Sequence, residues 1–454
     1  MLEAGARVHF MGIGGIGMSG LAEICRARGL EVSGCDTGRG PQVEALAGKG
    51  VSVARGHHPR HLDGPVDLLV HTSAVPTQSP ELCEAIARGV RTVSRGRLLA
   101  ELSRDRRLIA VAGAHGKTTT SGMAAQICLE AGWDPTVVVG GVMRSLGTNA
   151  HAGQGRYLVA ETDESDGSFL ELSPHVAIIT NIDREHLNYY QTFDRLIVAF
   201  QTFAGQLDPQ GALIVSWDDP VIRTAFAGLH RLTYGLSSAS DVTAERIRFV
   251  GHGSRFRARY RGRDLGGFQL QVPGAHNIAN ALGVMSMALT LEIPMVTVRD
   301  ALGRYQGTQR RFQATRLPGD IVLVEDYAHH PSEIRATLAS GALDGRHRLV
   351  VFQPHRYSRT QSLEQEFTRC FDRADGVIVT DIYPAFESPI PGVSGERLAA
   401  LIRAQGHPWV HYVPKPDLTT YVRRVMSSGD TIYVLGAGDI GELCHDLAAD
   451  VRPS

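Results

Sequence analysis

Leu108-Ile109-Ala110-Val111-Ala112-Gly113-Ala114-His115-Gly116-Lys117-Thr118-Thr119 is the stretch on which the fold turns. Leu108–Ala112 reads as a buried strand, and the residues after Gly116 read as a helix that Gly132 closes at its C-terminus. The loop between them, Gly113, Ala114, His115, Gly116, Lys117, Thr118 and Thr119, has the chemistry of a phosphate cradle. Its backbone amides surround phosphate oxygens, Lys117 reaches the β- and γ-oxygens, and the Thr118 hydroxyl is placed to ligate Mg²⁺. Val111 stands where the standard spacing has its first glycine. The lysine itself is informative, because 46 residues are Lys or Arg and only Lys49, Lys117 and Lys415 are lysine. Read as a charge clamp, Lys117 is expected to be removable without loss of the fold.

The same strand–glycine–helix opening recurs on both sides. Val8–Phe10 runs into Gly12–Gly17, and Thr431–Leu435 runs into Gly436–Gly441. Around them, short β-branched runs alternate with helix-length amphipathic stretches, the pattern of parallel α/β layers. The chain has 454 residues, too many for one ordinary core. A charged stretch, Ser103–Arg107, precedes the central strand, and Gly307–Arg311 follows a helix read over Asp300–Tyr305. Three α/β domains are expected, a Rossmann-like one at 1–105, a P-loop ATPase with a mixed sheet at 106–308 and a second Rossmann-like one at 309–454. Strands of the last are read at Ile321–Val324, Leu349–Phe352, Val377–Thr380, Val410–Val413 and Ile432–Leu435.

Composition excludes several classes. The 46 basic and 47 acidic residues nearly cancel, and each domain is close to neutral by itself, so a nucleic-acid partner is not expected. Arg255, Arg257, Arg259, Arg261 and Arg263 alternate along a strand; they read as the wet face of a hairpin, with Phe256, Ala258 and Tyr260 inward. The six cysteines form no C-x-x-C pair, which argues against a disulfide scaffold or a structural zinc site and for a reducing compartment. No apolar run approaches the roughly 18 residues of a membrane span, and no signal peptide is read. A cytoplasmic enzyme without membrane insertion is expected.

Gly12-Ile13-Gly14-Gly15-Ile16-Gly17, with Asp36 after the next strand, fits a diphosphate-binding turn. A nicotinamide or flavin cofactor and a nucleotide sugar suit it equally. For Gly436–Gly441, close packing of helix on strand is at least as good a reading as a ligand. Two polar segments follow apolar strands in the central domain, Glu161–Asp166 and Asn181–His186, and strand ends of this kind face the ligand crevice. His276–Asn280 opens a helix, and Asp326–Pro331 and His355–Thr360 each follow a strand in the last domain. Arginines placed there suit a carboxylate or a phosphate.

Taken in order, these motifs resemble the Mur ligases of peptidoglycan synthesis. The resemblance rests on HFMGIGGIGMSGLAEI (9–24), GAHGKTTT (113–120), ETDESDGSF (161–169), NIDREHLNYY (181–190), GAHNIANAL (274–282), QRRF (309–312), EDYAHHPSEI (325–334), QPHRYSRT (353–360), DIYPAFESPIPGVSGE (381–396) and LGAGDI (435–440). Ala114 replaces the family's usual threonine. The resemblance implies ATP and Mg²⁺ as cofactors, with UDP-N-acetylmuramate and L-alanine as substrates. It also implies transfer of the γ-phosphate to the lactyl carboxylate, then attack by the amine on the acyl phosphate. It assigns the UDP-sugar to Gly14, Gly15, Ile16, Gly17, Asp36, Ser73 and Ala74. Lys117 and Thr118 would hold phosphate and Mg²⁺, Glu161 and His186 a second Mg²⁺. Asn277 and Asn280 would meet the adenine side, with Arg311 and Asp326 from the third domain. His355, Arg356 and Arg359 would hold the alanine or the acyl phosphate. A monomer or weak homodimer is expected.

Overall fold

The computed structural model describes residues 3–72, 74–251, 253–340 and 345–449, apart from the side chain of Asn188. It packs as two compact units, one of Met1–Arg248, Arg255–Gln271 and Asn277–Gln306, the other of Phe249–Ser254, Val272–His276 and Gly307–Ser454.

Three sheets organise the described residues. The first joins β1 (Arg7–Met11), β2 (Glu31–Asp36), β3 (Ser52–Arg55), β4 (Leu68–His71) and β5 (Arg91–Ser94) in the order 3-2-1-4-5, all parallel. Alternation along β1 and β4 sends Val8, Phe10, Leu68 and Val70 to one face and Met11 and Leu69 to the other. Both faces are therefore covered, as a parallel sheet requires.

The second sheet has ten strands: β6 (Arg107–Ala112), β7 (Thr136–Met143), β8 (Thr148–His151), β9 (Tyr157–Glu161), β10 (Val176–Ile179), β11 (Ala212–Ser216), β12 (Leu232–Gly235), β13 (Val242–Val250), β14 (Gly253–Tyr260) and β15 (Arg263–Leu270). Their order is 15-14-13-12-11-10-6-9-7-8. It is mixed, since β7 and β8 pair antiparallel while β6, β9, β10 and β11 run parallel. β6 lies between β10 and β9, with Ala112 opposite Ile179 and Val111 opposite Glu161. This register carries the ends of β9 and β10 to the loop that leaves β6. In β14, Phe256 and Ala258 are buried, while Arg257 and Arg259 pair with Asp264 and Glu245, and Arg261, just after the strand, pairs with Asp241. Arg255, Arg257 and Arg259 thus lie on the outer face of β14, but the stripe does not continue along one strand, since Arg261 lies in the turn at φ +47° and Arg263 opens β15; Tyr260 is only partly buried.

The third sheet joins β16 (Gln313–Leu317), β17 (Ile321–Asp326), β18 (Arg348–Phe352), β19 (Gly376–Val379), β20 (Val410–Tyr412) and β21 (Thr431–Leu435) in the order 16-17-21-18-19-20. Only β16 is antiparallel to its neighbour. The helix expected over Asp300–Tyr305 begins earlier, at Met295, directly after Pro294. Proline lacks an N–H but is well suited to a helix start.

Within the first unit, the helix Ile16–Ala27 lies against β7 and β8. Asn149 Nδ2 donates to the Ile16 carbonyl at 2.6 Å, and a Cβ on Gly20 would sit 2.8 Å from that same nitrogen. Among the described residues, no helix is long and apolar enough to cross a membrane.

Candidate active site

The loop after β6 is built around two glycines that no other residue replaces without strain. Gly113 has φ +130° and a Cβ there would lie 2.2 Å from Thr180 Oγ1; Gly116 has φ +81° and its Cβ would lie 2.9 Å from Asn280 Oδ1. The segment after β10 laces the loop in place. Asn181 Oδ1 accepts the His115 N–H at 2.8 Å, and the His115 carbonyl accepts from Thr180 Oγ1 at 2.6 Å and Asn181 Nδ2 at 2.9 Å. His115 Nε2 lies 2.9 Å from Asp183 Oδ2. The helix Lys117–Glu130 then starts with no acidic residue in its first turn and no side-chain cap, leaving its N-terminal N–H groups and positive dipole end for an anion.

Lys117 Nζ donates to Glu164 Oε1 at 2.7 Å, to the Ala114 carbonyl at 3.2 Å and to the Gly113 carbonyl. Burial opposes its charge, but Glu164 and Glu161 outweigh that and hold the ammonium protonated. Glu164 is pushed up to about 7, by burial first, against the pull of Lys117. Its Oε2 is buried and accepts no hydrogen bond among the described residues. His186, at φ +57°, brings Nε2 to 3.7 Å from Glu164 Oε1 and 3.8 Å from Glu185 Oε2. Ligand atoms of Glu164, Glu185 and His186 all lie within 4.8 Å of one another. An oxygen-rich set with an unbonded buried carboxylate oxygen fits a hard divalent cation such as Mg²⁺. Glu161 sits at the end of β9, where its Oε2 accepts the Gly140 N–H at 2.8 Å. Thr118 and Thr119 are buried in the first turn. The structure thus gathers His186 with Glu164 and Glu185, two acids inside the recognised motifs that sequence reasoning did not single out. Their signal is positional, each lying in the segment that follows a central strand.

Asn277 and Asn280 are both buried on the helix Ala275–Thr290. Asn280 Nδ2 donates to Asn277 Oδ1 at 3.2 Å, and Asn280 is the side chain that closes on Gly116.

In the N-terminal loop, Gly12 and Ile13 donate their N–H groups to the Cys35 carbonyl. Asp36 Oδ2 accepts the Gly14 N–H at 2.8 Å and Oδ1 the Gly38 N–H at 2.9 Å, so Asp36 shapes the loop itself. Gly15 caps the helix Ile16–Ala27 without any side-chain bond. A Cβ on Gly17 would lie 3.1 Å from Arg95 Nη1, and Arg95 Nη2 donates to Asp163 Oδ2 at 2.6 Å. The Ala74 N–H reaches Thr72 Oγ1 at 3.4 Å; Ser73 lies outside the described residues. The third glycine motif has a packing reason: a Cβ on Gly438 would lie 2.5 Å from both Gln353 Oε1 and Tyr383 Cγ.

In the second unit, buried Asp326 ends β17. Its Oδ2 accepts the Phe312 N–H and its Oδ1 the Ala328 N–H, each at 2.8 Å. Burial pushes it up to about 6, against the pull of Arg311 and of these two bonds. The Arg311 guanidinium lies 5.2 Å from the centre of the Tyr327 ring and 3.8 Å from Glu333 Oε1. His355 stacks on Tyr383 with ring centres 5.6 Å apart and meets His329 edge-on at 5.6 Å. Its Nδ1 lies 3.3 Å from Arg359 Nη1. Burial first, then His329, Arg359 and Arg356, hold the imidazole well below its ordinary range, and therefore neutral. Arg356 takes φ +70° at the start of the helix Tyr357–Ser362 and donates its N–H to the Tyr383 carbonyl at 2.8 Å. Arg311 and Asp326 are thus neighbours, and His355, Arg356 and Arg359 form a second group joined to them through Tyr327 and His329.

Three family models match consecutive parts of the chain: the Mur ligase family catalytic domain over 7–107, the Mur ligase middle domain over 111–288 and the Mur ligase glutamate ligase domain over 310–438. A UDP-N-acetylmuramate–L-alanine ligase of Sorangium cellulosum is 46% identical over 449 residues, covering 97% of this chain and 96% of that protein. The solved UDP-N-acetylmuramate–alanine ligase MurC of Thermotoga maritima superposes with a TM-score of 0.85 at 28% identity, covering 98% of each chain. A murein peptide ligase of Psychrobacter arcticus shares the fold, with a TM-score of 0.73 at 24% identity over 98% of this chain and 99% of that one.

Proposed function

Because the chain belongs to the Mur ligase family, we propose that it joins L-alanine to the carboxylate of UDP-N-acetylmuramate at the expense of ATP, in the making of peptidoglycan precursors in the cytoplasm. The carboxylate takes the γ-phosphate of ATP, giving an acyl phosphate and ADP. The alanine amine then attacks the acyl carbon, and an amide, phosphate and a proton are released. The observation that carries this reading is the P-loop lysine: Lys117 stands at an uncapped helix start, 2.7 Å from the buried Glu164 carboxylate. That arrangement lies in a chain similar to alanine ligases from end to end.

Phosphoryl transfer asks for positioning and charge stabilisation rather than a covalent nucleophile. In this reading Lys117 exchanges its carboxylate partner for the β- and γ-phosphates, and the amides of Gly113–Thr119 orient them. Thr118 would hold one Mg²⁺, and Glu161 and His186, with Glu164 and Glu185, a second Mg²⁺. When bound, these ions neutralise charge on the phosphate oxygens. Asn277 and Asn280 face the adenine side. Gly14, Gly15, Ile16, Gly17, Asp36, Ser73 and Ala74 serve the UDP-sugar. Arg311 and Asp326 complete the nucleotide contacts, and His355, Arg356 and Arg359 hold the alanine carboxylate or the acyl phosphate. Domain limits at 1–105, 106–308 and 309–454 go with these roles, each domain containing one of the three sheets.

The test is phosphate release with ATP, UDP-N-acetylmuramate and each amino acid in turn. L-Alanine should give the highest kcat/KM, and omission of either substrate should stop release. Turnover only with the tripeptide L-alanyl-γ-D-glutamyl-meso-diaminopimelate in place of alanine would reassign the chain within the family.

A further inference from the structure

We propose that His9, Cys35, His61 and Glu81 form a binding site for a late first-row divalent metal ion, zinc foremost, in the N-terminal domain. None of these residues takes part in the chemistry above. They come from four separate segments: His9 from β1, Cys35 from β2, His61 from the short helical turn Pro59–Leu62 and Glu81 from the first turn of the helix Pro80–Ala87. Sequence spacing looks for paired cysteines and so passes over a set that only the fold assembles.

Glu81 is fully buried, in a layer formed by Met11, Leu62, Leu69, Leu82 and Ala85. A carboxylate so placed needs compensation. His9 Nε2 lies 3.0 Å and His61 Nδ1 3.1 Å from its Oε1; Cys35 Sγ lies 3.3 Å and the His58 N–H 3.1 Å from its Oε2. One ligand atom from each of His9, Cys35, His61 and Glu81 lies within 4.8 Å of every other. A tetrahedral zinc ion with bonds of about 2.0–2.3 Å has ligand–ligand edges of roughly 3.3–3.7 Å. The His9 and His61 contacts to Glu81 fall just short of that and the remaining pairs lie within 4.8 Å, so small shifts of the side chains bring the four atoms around an ion.

The ligand chemistry is selective. One thiolate, two imidazoles and one carboxylate suit zinc and its neighbours and not Mg²⁺ or Ca²⁺. A supporting shell is in place. His9 Nδ1 lies 2.9 Å from Ser33 Oγ, which orients the ring, and His57 Nδ1 lies 3.1 Å from Cys35 Sγ, where it donates to a thiolate. His57 and His61 are 20% and 17% exposed while Glu81 is buried, which gives an ion a way in. On binding, the thiol loses its proton to solvent, the His9 ring proton moves from Nε2 to Nδ1, facing Ser33, and the His61 ring proton moves from Nδ1 to Nε2. One proton is released per ion. The Cys35 carbonyl also holds the N–H groups of Gly12 and Ile13, so the ion would stiffen the base of the first glycine loop.

The experiment uses Co²⁺ as the probe, titrated into the full-length protein with Mg²⁺ in excess to occupy the P-loop site. The expected result is one equivalent of Co²⁺ showing a thiolate-to-cobalt charge-transfer band that Zn²⁺ abolishes. The band should vanish in Cys35→Ser and persist in Cys83→Ser, since Cys83 is exposed and outside the cluster. As a second measurement, Zn²⁺ should raise the melting temperature of the wild type relative to a chelator and leave that of His61→Ala, altered at the rim, unmoved. No charge-transfer band in the wild type, a band that survives Cys35→Ser, or equal Zn²⁺ shifts in wild type and His61→Ala would each overturn the proposal. Because these readouts need neither ATP nor UDP-sugar, they stand or fall apart from the ligase assay.

Discussion

Lys117 and Glu164 form an ion pair of 2.7 Å in which the side chains are 15% and 2% exposed. The lysine is therefore part of the packed interior as well as a clamp for phosphate, contrary to the expectation that it could be removed without harm to the fold. Deleting one partner of a buried pair leaves the other uncompensated, at a cost of about 3–5 kcal/mol. Lys117→Ala should melt well below the wild type and lose roughly 10²–10³ in turnover, as when one preorganised donor is removed. Lys117→Ala/Glu164→Gln should recover most of the melting temperature and none of the turnover. Thermal melts and phosphate release on the three proteins check this; an unshifted melting temperature in Lys117→Ala would mean that Glu164 needs no partner.

The acids beside the P-loop predict a graded Mg²⁺ response. Glu164→Gln and His186→Ala each remove an atom from the set that lies within 4.8 Å, so each should raise the Mg²⁺ concentration for half-maximal activity. The carboxylate loss should cost more, since Mg²⁺ prefers hard oxygen ligands. Glu161→Gln tests the strand end separately, because a glutamine there keeps an oxygen to accept the Gly140 N–H and loses only the charge. Titrations of Mg²⁺ at saturating ATP decide which carboxylate is the ligand, and no change in any of the three variants would take the ion elsewhere.

How far the sequence carries can be seen at these residues. The loop Gly113–Thr119 was legible because strand, glycines, lysine and helix are contiguous, and the structure has that local order. Glu164 was not singled out within its acidic run, because its importance comes from the turn after β9 that buries it against Lys117, a tertiary effect. The antiparallel pairing of β7 with β8 has no local marker beyond alternation. Asp36 shows the opposite limit: the sequence marks its place after the second strand and suggests a ligand for it, and the structure shows its carboxylate accepting the Gly14 and Gly38 N–H groups.

Gly116 and Gly132 separate backbone strain from site geometry. Both hold positive φ, +81° and +72°, but a Cβ at Gly116 meets Asn280 Oδ1 at 2.9 Å while one at Gly132 meets nothing within 4 Å. Each alanine substitution should cost about 1–2 kcal/mol in left-handed backbone strain. Gly116→Ala should in addition push Asn280 away and weaken ATP binding, with Gly132→Ala binding ATP as the wild type does. Isothermal titration with ATP distinguishes them, and equal affinities would show that Asn280 yields without disturbing the nucleotide.

His355 predicts how the C-terminal unit responds to acid. Its ring is held neutral first by burial and then by its neighbours His329, Arg359, Arg356 and Arg310. In the unfolded chain the same imidazole takes a proton near pH 6.5. Below about 6.5 the unfolded state therefore binds a proton that the folded state refuses, and stability falls as the pH falls; above 6.5 the residue contributes no slope. Asp326 acts in the opposite sense, since its folded value of about 6 exceeds the ordinary aspartate value of about 3.9. Its share of stability is present in acid and is lost as pH rises between those two values. Comparing urea midpoints at pH 7.5 and 5.5 for wild type and His355→Gln isolates the histidine, because the Asp326 contribution is common to both proteins. The wild type should lose more stability between the two pH values than the variant does. An imidazole carbon resonance for His355 that titrates near 6.5 in the folded protein would show that burial and these neighbours do not control it.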